Sequence, residues 1–373
     1  MKVPLLDLTE QNNSLRPEIE AALGRVLDTN AFILGGEVKA LEEELAQYCG
    51  TKYAVGCASG SDALLLALMA VGVKAGDEVI TTPYSFFATV SAITRLGARP
   101  VFVDIDPATF NLDVSKVDAA ITERTTAIQP VHLYGQCADM AALNQLMSKH
   151  GIPVVEDAAQ AIGADELGSR AGAMSDVGCF SFYPSKNLGG MGDGGFMTTS
   201  DPDLARELFA LRVHGSEERY YHKWIGLNSR LDGFQGAVLR VKLPHLDSWS
   251  NKRKQNADRY RDLFTDAGLT EQVGLPFERE NCRHIYNQFV LRVPGKRDEL
   301  REFLSSSEIG TDIYYPVPLH MQECFEYLGY REGQFPESER AARESLAIPI
   351  YPELKIEQQE YVVDKIEEFF KQA

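Results

Sequence analysis

The chain has 373 residues, 44% of them apolar, with 54 acidic against 37 basic side chains and a formal charge of -17. That composition is ordinary for a soluble globular protein, and the length suits two domains or one large α/β domain with an appendage. The acidic balance argues against a surface that binds nucleic acid or an anionic membrane face, and the longest apolar run, Ala63 to Val73, is too short for a bilayer span.

The amino terminus, Met1-Lys2-Val3-Pro4, shows no signal-peptide apolar core, so a cytoplasmic protein is expected. The six cysteines form no CxxC pair and no zinc-type spacing. Cys57 and Cys179 sit in apolar runs and read as small buried hydrophobes.

A helix face made by Val38, Leu41, Leu45 and Tyr48 precedes the first expected strand, Lys52–Ala58. Further strands are expected at Glu78–Thr82, Pro100–Asp104, Thr126–His132, Pro153–Glu156, Val177–Phe182 and Gly195–Thr199. Several are apolar on both faces, as in a sheet covered by helices on each side. Among the helices between and after them, Asp139, Met140, Leu143 and Met147 define one closed by Gly151, and Asp201-Pro202 opens another. The expected fold class is α/β, a three-layer α/β/α sandwich around a mostly parallel seven-stranded sheet.

Near Gly233 the pattern changes. A long helical stretch passes Val238, Leu239 and Leu243, meets Pro244, which should kink it, and continues through Asn251–Asp266. A strand (His284–Val293), a helix (Arg297–Ser305), a second strand (Thr311–Tyr315) and an amphipathic helix (Ile356–Phe370) complete a smaller α+β domain. The expected division is an arm at 1–20, a large domain at 21–244 and a small domain at 245–373, the arm joining the small domain or wrapping a neighbouring subunit.

Ligands of open α/β sheets gather at the carboxyl ends of the strands, so the residues following each strand carry the functional reading. Ser59-Gly60-Ser61-Asp62 opens the helix Ala63–Val71, and small residues there expose N–H groups suited to a phosphate; alternatively Ser61 is an ordinary N-cap. Asp157 follows a strand on the opposite face from Glu156, where a buried carboxylate needs a cationic partner unless it merely caps Ala158–Ile162. Gln160 comes next. Tyr183-Pro184-Ser185-Lys186-Asn187 and the run Gly189–Gly195 follow Val177–Phe182. A lysine walled by glycines is either solvated or, if withdrawn from water, lowered in pKa and suited to Schiff-base chemistry. Gly190-x-Gly192-x-x-Gly195 satisfies the dinucleotide-binding expression but leads into a strand, so that match is accidental. An anion site, a carboxylate and a lysine at strand ends are together what pyridoxal 5′-phosphate (PLP) requires for its phosphate, ring nitrogen and aldehyde.

These residues resemble the DegT-type sugar aminotransferases, PLP enzymes of the aspartate-aminotransferase fold (type I). The resemblance spans almost the whole chain. It rests on Ile33-Leu34-Gly35-Gly36-Glu37-Val38, Ala58-Ser59-Gly60-Ser61-Asp62-Ala63-Leu64, Pro83-Tyr84-Ser85-Phe86 and Pro100-Val101-Phe102-Val103-Asp104-Ile105. It continues through Glu156-Asp157-Ala158-Ala159-Gln160, Ser181-Phe182-x-x-x-Lys186, Gly226-x-Asn228-Ser229-Arg230-Leu231-Asp232 and Tyr315-Pro316-x-Pro318-Leu319-His320.

The resemblance implies that Lys186 carries PLP and shuttles a proton, and that Asp157 keeps the pyridine nitrogen protonated. It implies that Phe86 stacks on the ring and Gln160 bonds its phenolic oxygen. Gly60, Ser61, Ser181 and, from a second subunit, Asn228 would hold the phosphate, which makes a homodimer obligatory. Arg230, Tyr315 and His320 are the implied substrate contacts; many relatives carry histidine where Tyr315 stands. The implied activity is amino transfer, with L-glutamate as donor, to a nucleotide-linked keto sugar, a 3-keto uronic or deoxy sugar by the likeness of Leu133-Tyr134-Gly135-Gln136 and of Asn228-Ser229-Arg230. The rivals are an aminotransferase for a free cyclitol such as an inosose, a PLP-type sugar dehydratase, which intact Lys186 disfavours, and a non-catalytic regulator keeping the fold.

Overall fold

The computed structural model describes residues 1–372. Seven strands form its central sheet: β1 (Tyr53–Cys57), β2 (Glu78–Thr81), β3 (Arg99–Phe102), β4 (Thr125–Ile128), β5 (Val155–Asp157), β6 (Val177–Ser181) and β7 (Gly195–Thr199). Four run in the order β1-β7-β6-β5 and three in the order β3-β2-β4. Parallel bridges Ile128↔Val154 and Val131↔Asp157 join the two groups edge to edge. Only β7 is reversed, antiparallel to both β1 and β6, so β1, β5 and β6 end on the same side of the sheet. All seven strands stand where the sequence reading put them, with ends differing by a few residues.

Alternation along the strands sends side chains into two separate cores. Val55 and Cys57 of β1, Cys179 of β6 and Met197 of β7 pack under α3 (Gly60–Ala70), α4 (Phe87–Arg95) and α6 (Pro202–Leu211). Their neighbours Ala54, Phe180 and Phe196 face the other way, toward α2 (Gly36–Cys49) and α7 (Gly233–Lys242). Under α5 (Met140–His150), Met140, Leu143 and Met147 cover Ile80 and Ile128. Helix α3 is apolar nearly all round because it is buried nearly all round. The fold is the three-layer α/β sandwich.

Pro244 does more than kink a helix. A single 3₁₀ turn, Leu243–His245, separates α7 from α8 (Leu246–Asp266). Beyond it lies a distinct core: Tyr260 and Phe264 of α8, Leu300 and Leu304 of α9 (Arg297–Ser306), and Val362 and Ile366 of the terminal helix (Ile356–Gln372). It closes over an antiparallel pair, β8 (Phe289–Arg292) and β9 (Ser345–Ile348). Val3 joins this core and bridges Ile309, while Leu15 and Ile19 of α1 (Thr9–Thr29) pack on Val238 and Trp249.

Two expected strands are corrected. His284–Val293 is interrupted, because Ile285 and Asn287 donate their N–H groups to Gly135 and Tyr134 carbonyls instead of to a ladder. Thr311–Tyr315 keeps one bridge, Asp312↔Ala347. The Tyr84 hydroxyl takes the rest, donating to Tyr314 O at 2.7 Å and accepting from Tyr315 N–H at 3.0 Å.

Candidate active site

The ends of β1, β5 and β6 open into one cavity of roughly 530 Å³. Gly60, Ser61, Phe86, Asp157, Gln160, Ser181, Lys186 and Tyr315 all line it. Asn228, Arg230 and His320 do not.

At one end of the cavity is the start of α3. Ser59, not Ser61, is the N-cap: its hydroxyl accepts from Asp62 N–H at 3.1 Å. The N–H groups of Gly60 and Ser61 are left without an acceptor among the described residues, at the positive end of the helix dipole. Glycine is required at 60 by close approach, since a Cβ there would lie 2.7 Å from Cβ of Ser181. That contact brings the helix start against the end of β6 and sets the Ser181 hydroxyl beside the free N–H groups. The donor set fits a phosphate.

Asp157 lies deeper, only 5% exposed. Its Oδ2 accepts from Thr89 Oγ1 at 2.7 Å, and Oδ1 from Ala159 N–H at 3.3 Å. Burial holds its carboxyl above the usual range, against the pull of these bonds and of the Lys186 charge. Glu156 points the other way, as alternation requires. It accepts from Gly172 N–H at 2.7 Å and from His132 Nε2 at 2.8 Å, the proton lying on Nε2 because Nδ1 accepts from Ala138 N–H.

Lys186 faces the cavity on the turn after β6, its own N–H donating to Tyr183 O at 2.8 Å. Its amine has no hydrogen-bond partner among the described residues. Withdrawal from water pushes it down to about 8, with Asp157 pulling the opposite way. About a tenth of it is therefore neutral amine at pH 7, far more than of an ordinary lysine, and that is the form a nucleophile or base requires. Gln160 is held at both ends: Oε1 accepts from Tyr134 N–H at 2.7 Å, and Nε2 donates to the Tyr315 hydroxyl at 3.1 Å. Phe86, at the mouth and 56% exposed, lies 5.9 Å from the Tyr315 ring.

His320 is a correction. Its imidazole is buried, bonded to Glu339 at 3.1 Å and flanked by Phe335 and Phe102, so it holds the fold rather than facing the cavity. Asn228 is exposed and Arg230 half-buried, both outside this chain's own cavity. Between them, Ser229 is fully buried: it donates to Asp62 Oδ2 at 2.7 Å and accepts from Ala58 N–H at 3.1 Å.

Sequence reasoning missed Thr89, Ser85 and Ser229. Ser85 and Thr89 are four apart, and their hydroxyls meet at 2.7 Å. The S-x-x-x-T spacing after a strand was the one available signal.

Comparison with known proteins bears on this geometry. The model of the DegT/DnrJ/EryC1/StrS aminotransferase family matches residues 13–367. A pleiotropic regulatory protein of Geobacillus stearothermophilus is 52% identical over 100% of this chain and 99% of its own. A UDP-N-acetyl-3-dehydro-α-D-glucosamine 3-aminotransferase of Acidithiobacillus ferrooxidans is 44% identical over 95% of each. The crystal structure of Streptomyces venezuelae DesV in complex with a ketimine intermediate superposes with a TM-score of 0.96 at 45% identity, covering 100% of this chain and 99% of that one. The chain belongs to the DegT/DnrJ/EryC1/StrS aminotransferase family.

Proposed function

We propose that this cavity moves an amino group from L-glutamate to the keto group of a nucleoside-diphosphate-linked sugar, at carbon 3. Membership of the family makes the chain a PLP-dependent aminotransferase. The observation that carries the site assignment is the meeting, in one cavity, of an unpartnered lysine, a buried carboxylate and free helix N–H groups. When bound, PLP supplies an electron sink for the pair released from the donor's Cα–H bond.

The chain's own residues would do the rest. Gly60 and Ser61 N–H and the Ser181 hydroxyl would hold the phosphate, and Phe86 would cover one ring face. Asp157 would keep the proton on the pyridine nitrogen, since a cation beside it favours its ionised form. Lys186 Nζ would take the proton from Cα and return it at the far end of the reacting system. Gln160 Nε2 retains one N–H for the ring's phenolic oxygen, and Tyr315 lies where substrate enters.

A homodimer is part of this reading, with Asn228 of a second copy completing the phosphate site and Arg230 its substrate edge. The exposure of Asn228 outside its own cavity supports that. A cytoplasmic address fits six cysteines that are all free thiols. The name of the Geobacillus relative favours a regulatory second reading; a pure binder has no use for a lysine held near neutrality beside a buried acid.

The test follows the cofactor's absorbance. Glutamate should convert the PLP form to the amino form, and a nucleotide-linked 3-keto sugar should convert it back. Reversal by a free keto cyclitol and not by the nucleotide sugar would replace this substrate class. Mixed Lys186→Ala and Asn228→Ala dimers should regain part of the activity, and no recovery would count against a shared site.

A further inference from the structure

We infer that Lys242 is a positioning residue for Lys186: its buried amine ties down the carbonyl of Gly189 and so fixes the loop that presents Lys186 to the cofactor. This rests on the role given to Lys186 above. The loop is closed by Gly190 N–H donating to Phe182 O at 2.8 Å. Within it, Gly189 lies so near Pro184 that a Cβ would sit 2.3 Å from the Pro184 carbonyl oxygen. Gly189 and the turn carrying Lys186 therefore cannot move independently.

Lys242 ends α7, is 3% exposed, and donates from Nζ to Gly189 O at 2.9 Å. Among the described residues no carboxylate accompanies it, and burial pushes it down to about 8. A buried amine with a single carbonyl partner is a poor device for stability, because an apolar side chain fills the space without the desolvation cost. Such a group makes sense where the position of its partner matters.

Gln235, two turns earlier on α7, repeats the contact: its Oε1 accepts from Met191 N–H at 2.8 Å. A Cβ on Gly190 or Gly192 would come within 2.8 Å of that carboxamide. Helix α7 thus grips the glycine run at two points, while Ser229 just ahead of it is tied to the start of α3. One element references both the lysine loop and the phosphate end. In the glycine run, an accidental match to a dinucleotide motif, Gly189, Gly190 and Gly192 are crowded by Pro184 and α7, and Gly194 and Gly195 by Leu231 and the Ser59 backbone.

The experiment uses full-length apo protein carrying Lys242→Met, which keeps side-chain length without a donor, and Lys242→Gln, which keeps a donor on a shorter arm. Each is mixed with PLP, and the absorbance of cofactor joined to Lys186 is followed in time and against pH, beside the melting temperature. Misplacing a reacting group by ~1 Å costs on the order of 100-fold, so attachment to the Met variant should slow by about tenfold or more, with the pH midpoint displaced. The Gln variant should fall between Met and wild type. If the Met variant does not fold, the Gln variant carries the test, with slowing of about threefold or more expected. A folded variant that attaches PLP at the wild-type rate and pH midpoint overturns the proposal, whatever its melting temperature. Wild-type protein that attaches no PLP would instead overturn the Lys186 reading, and this one with it.

Discussion

Thr89 is the place where the site can be perturbed most cleanly. Its Oγ1 donates to Asp157 Oδ2 at 2.7 Å, within the short range of bonds from hydroxyl to carboxylate. A hydroxyl has one proton, so Thr89 must accept from Ser85 Oγ, 2.7 Å away, giving a chain Ser85 to Thr89 to Asp157. Thr89→Val keeps the shape and removes the donor. A hydrogen bond to a charged group contributes about 1.5–3 kcal/mol, which corresponds to roughly 10- to 150-fold in rate if all of it is felt in turnover. Burial already biases Asp157 toward its neutral acid, and Thr89 is the strongest of the groups opposing that bias. Without it the bias toward the neutral acid grows, which weakens the charge that holds the proton on the ring nitrogen. Single-turnover absorbance with glutamate should show that fall in rate, while the Kd for PLP changes by less than about fivefold because the phosphate end is untouched. Ser85→Ala removes a bond between neutral groups, about 0.5–1.5 kcal/mol, and should cost only about 2- to 10-fold. Turnover of Thr89→Val within twofold of wild type, or a larger loss from Ser85→Ala, would refute the chain of reasoning.

Three other outcomes are expected. The rate at which apo protein attaches PLP should rise about tenfold per pH unit below pH 8 and level off above it, because only the neutral Lys186 amine reacts and its pKa is about 8; stopped-flow absorbance against pH would expose an ordinary lysine as a rise continuing to pH 10. Gly60→Ala should weaken PLP binding by about tenfold or more in equilibrium titration, since its Cβ meets Ser181 at 2.7 Å and must displace the helix start. His320→Ala should destabilise the fold by about 2–4 kcal/mol in urea melts, through a lost buried ring, while Glu339 keeps its bonds from the Gly333 and Phe335 N–H groups, with KM for the sugar unchanged. A raised KM with unchanged stability would restore His320 to the substrate site.

The strands of the central sheet were legible because each is a short run apolar on both faces, and local period reports burial directly. Val177–Phe182 shows this well: Cys179 and Phe180 face opposite cores, yet both had to be apolar. The two overdrawn strands failed for the complementary reason. Around Ile285 and Tyr314 the composition still favours a strand, but the partners of the backbone are Gly135 and the Tyr84 hydroxyl, far away in sequence.

The same division runs through the site. Lys186, Asp157 and the Ser59–Asp62 turn stand at strand ends, where residue type and position together limit the chemistry. His320 misled because a histidine in a conspicuous motif looks the same whether it faces a cavity or, as here, Glu339 and Phe335. By itself the sequence determined the order of elements, the two-sided sheet and the candidates at its strand ends, since these depend on local periodicity and turn chemistry. Only the tertiary structure decided which side chains meet: Thr89 on Asp157, Ser229 on the start of α3, Lys242 on the glycine loop. Those contacts join residues 68, 167 and 53 positions apart, and packing rather than local pattern brings them together.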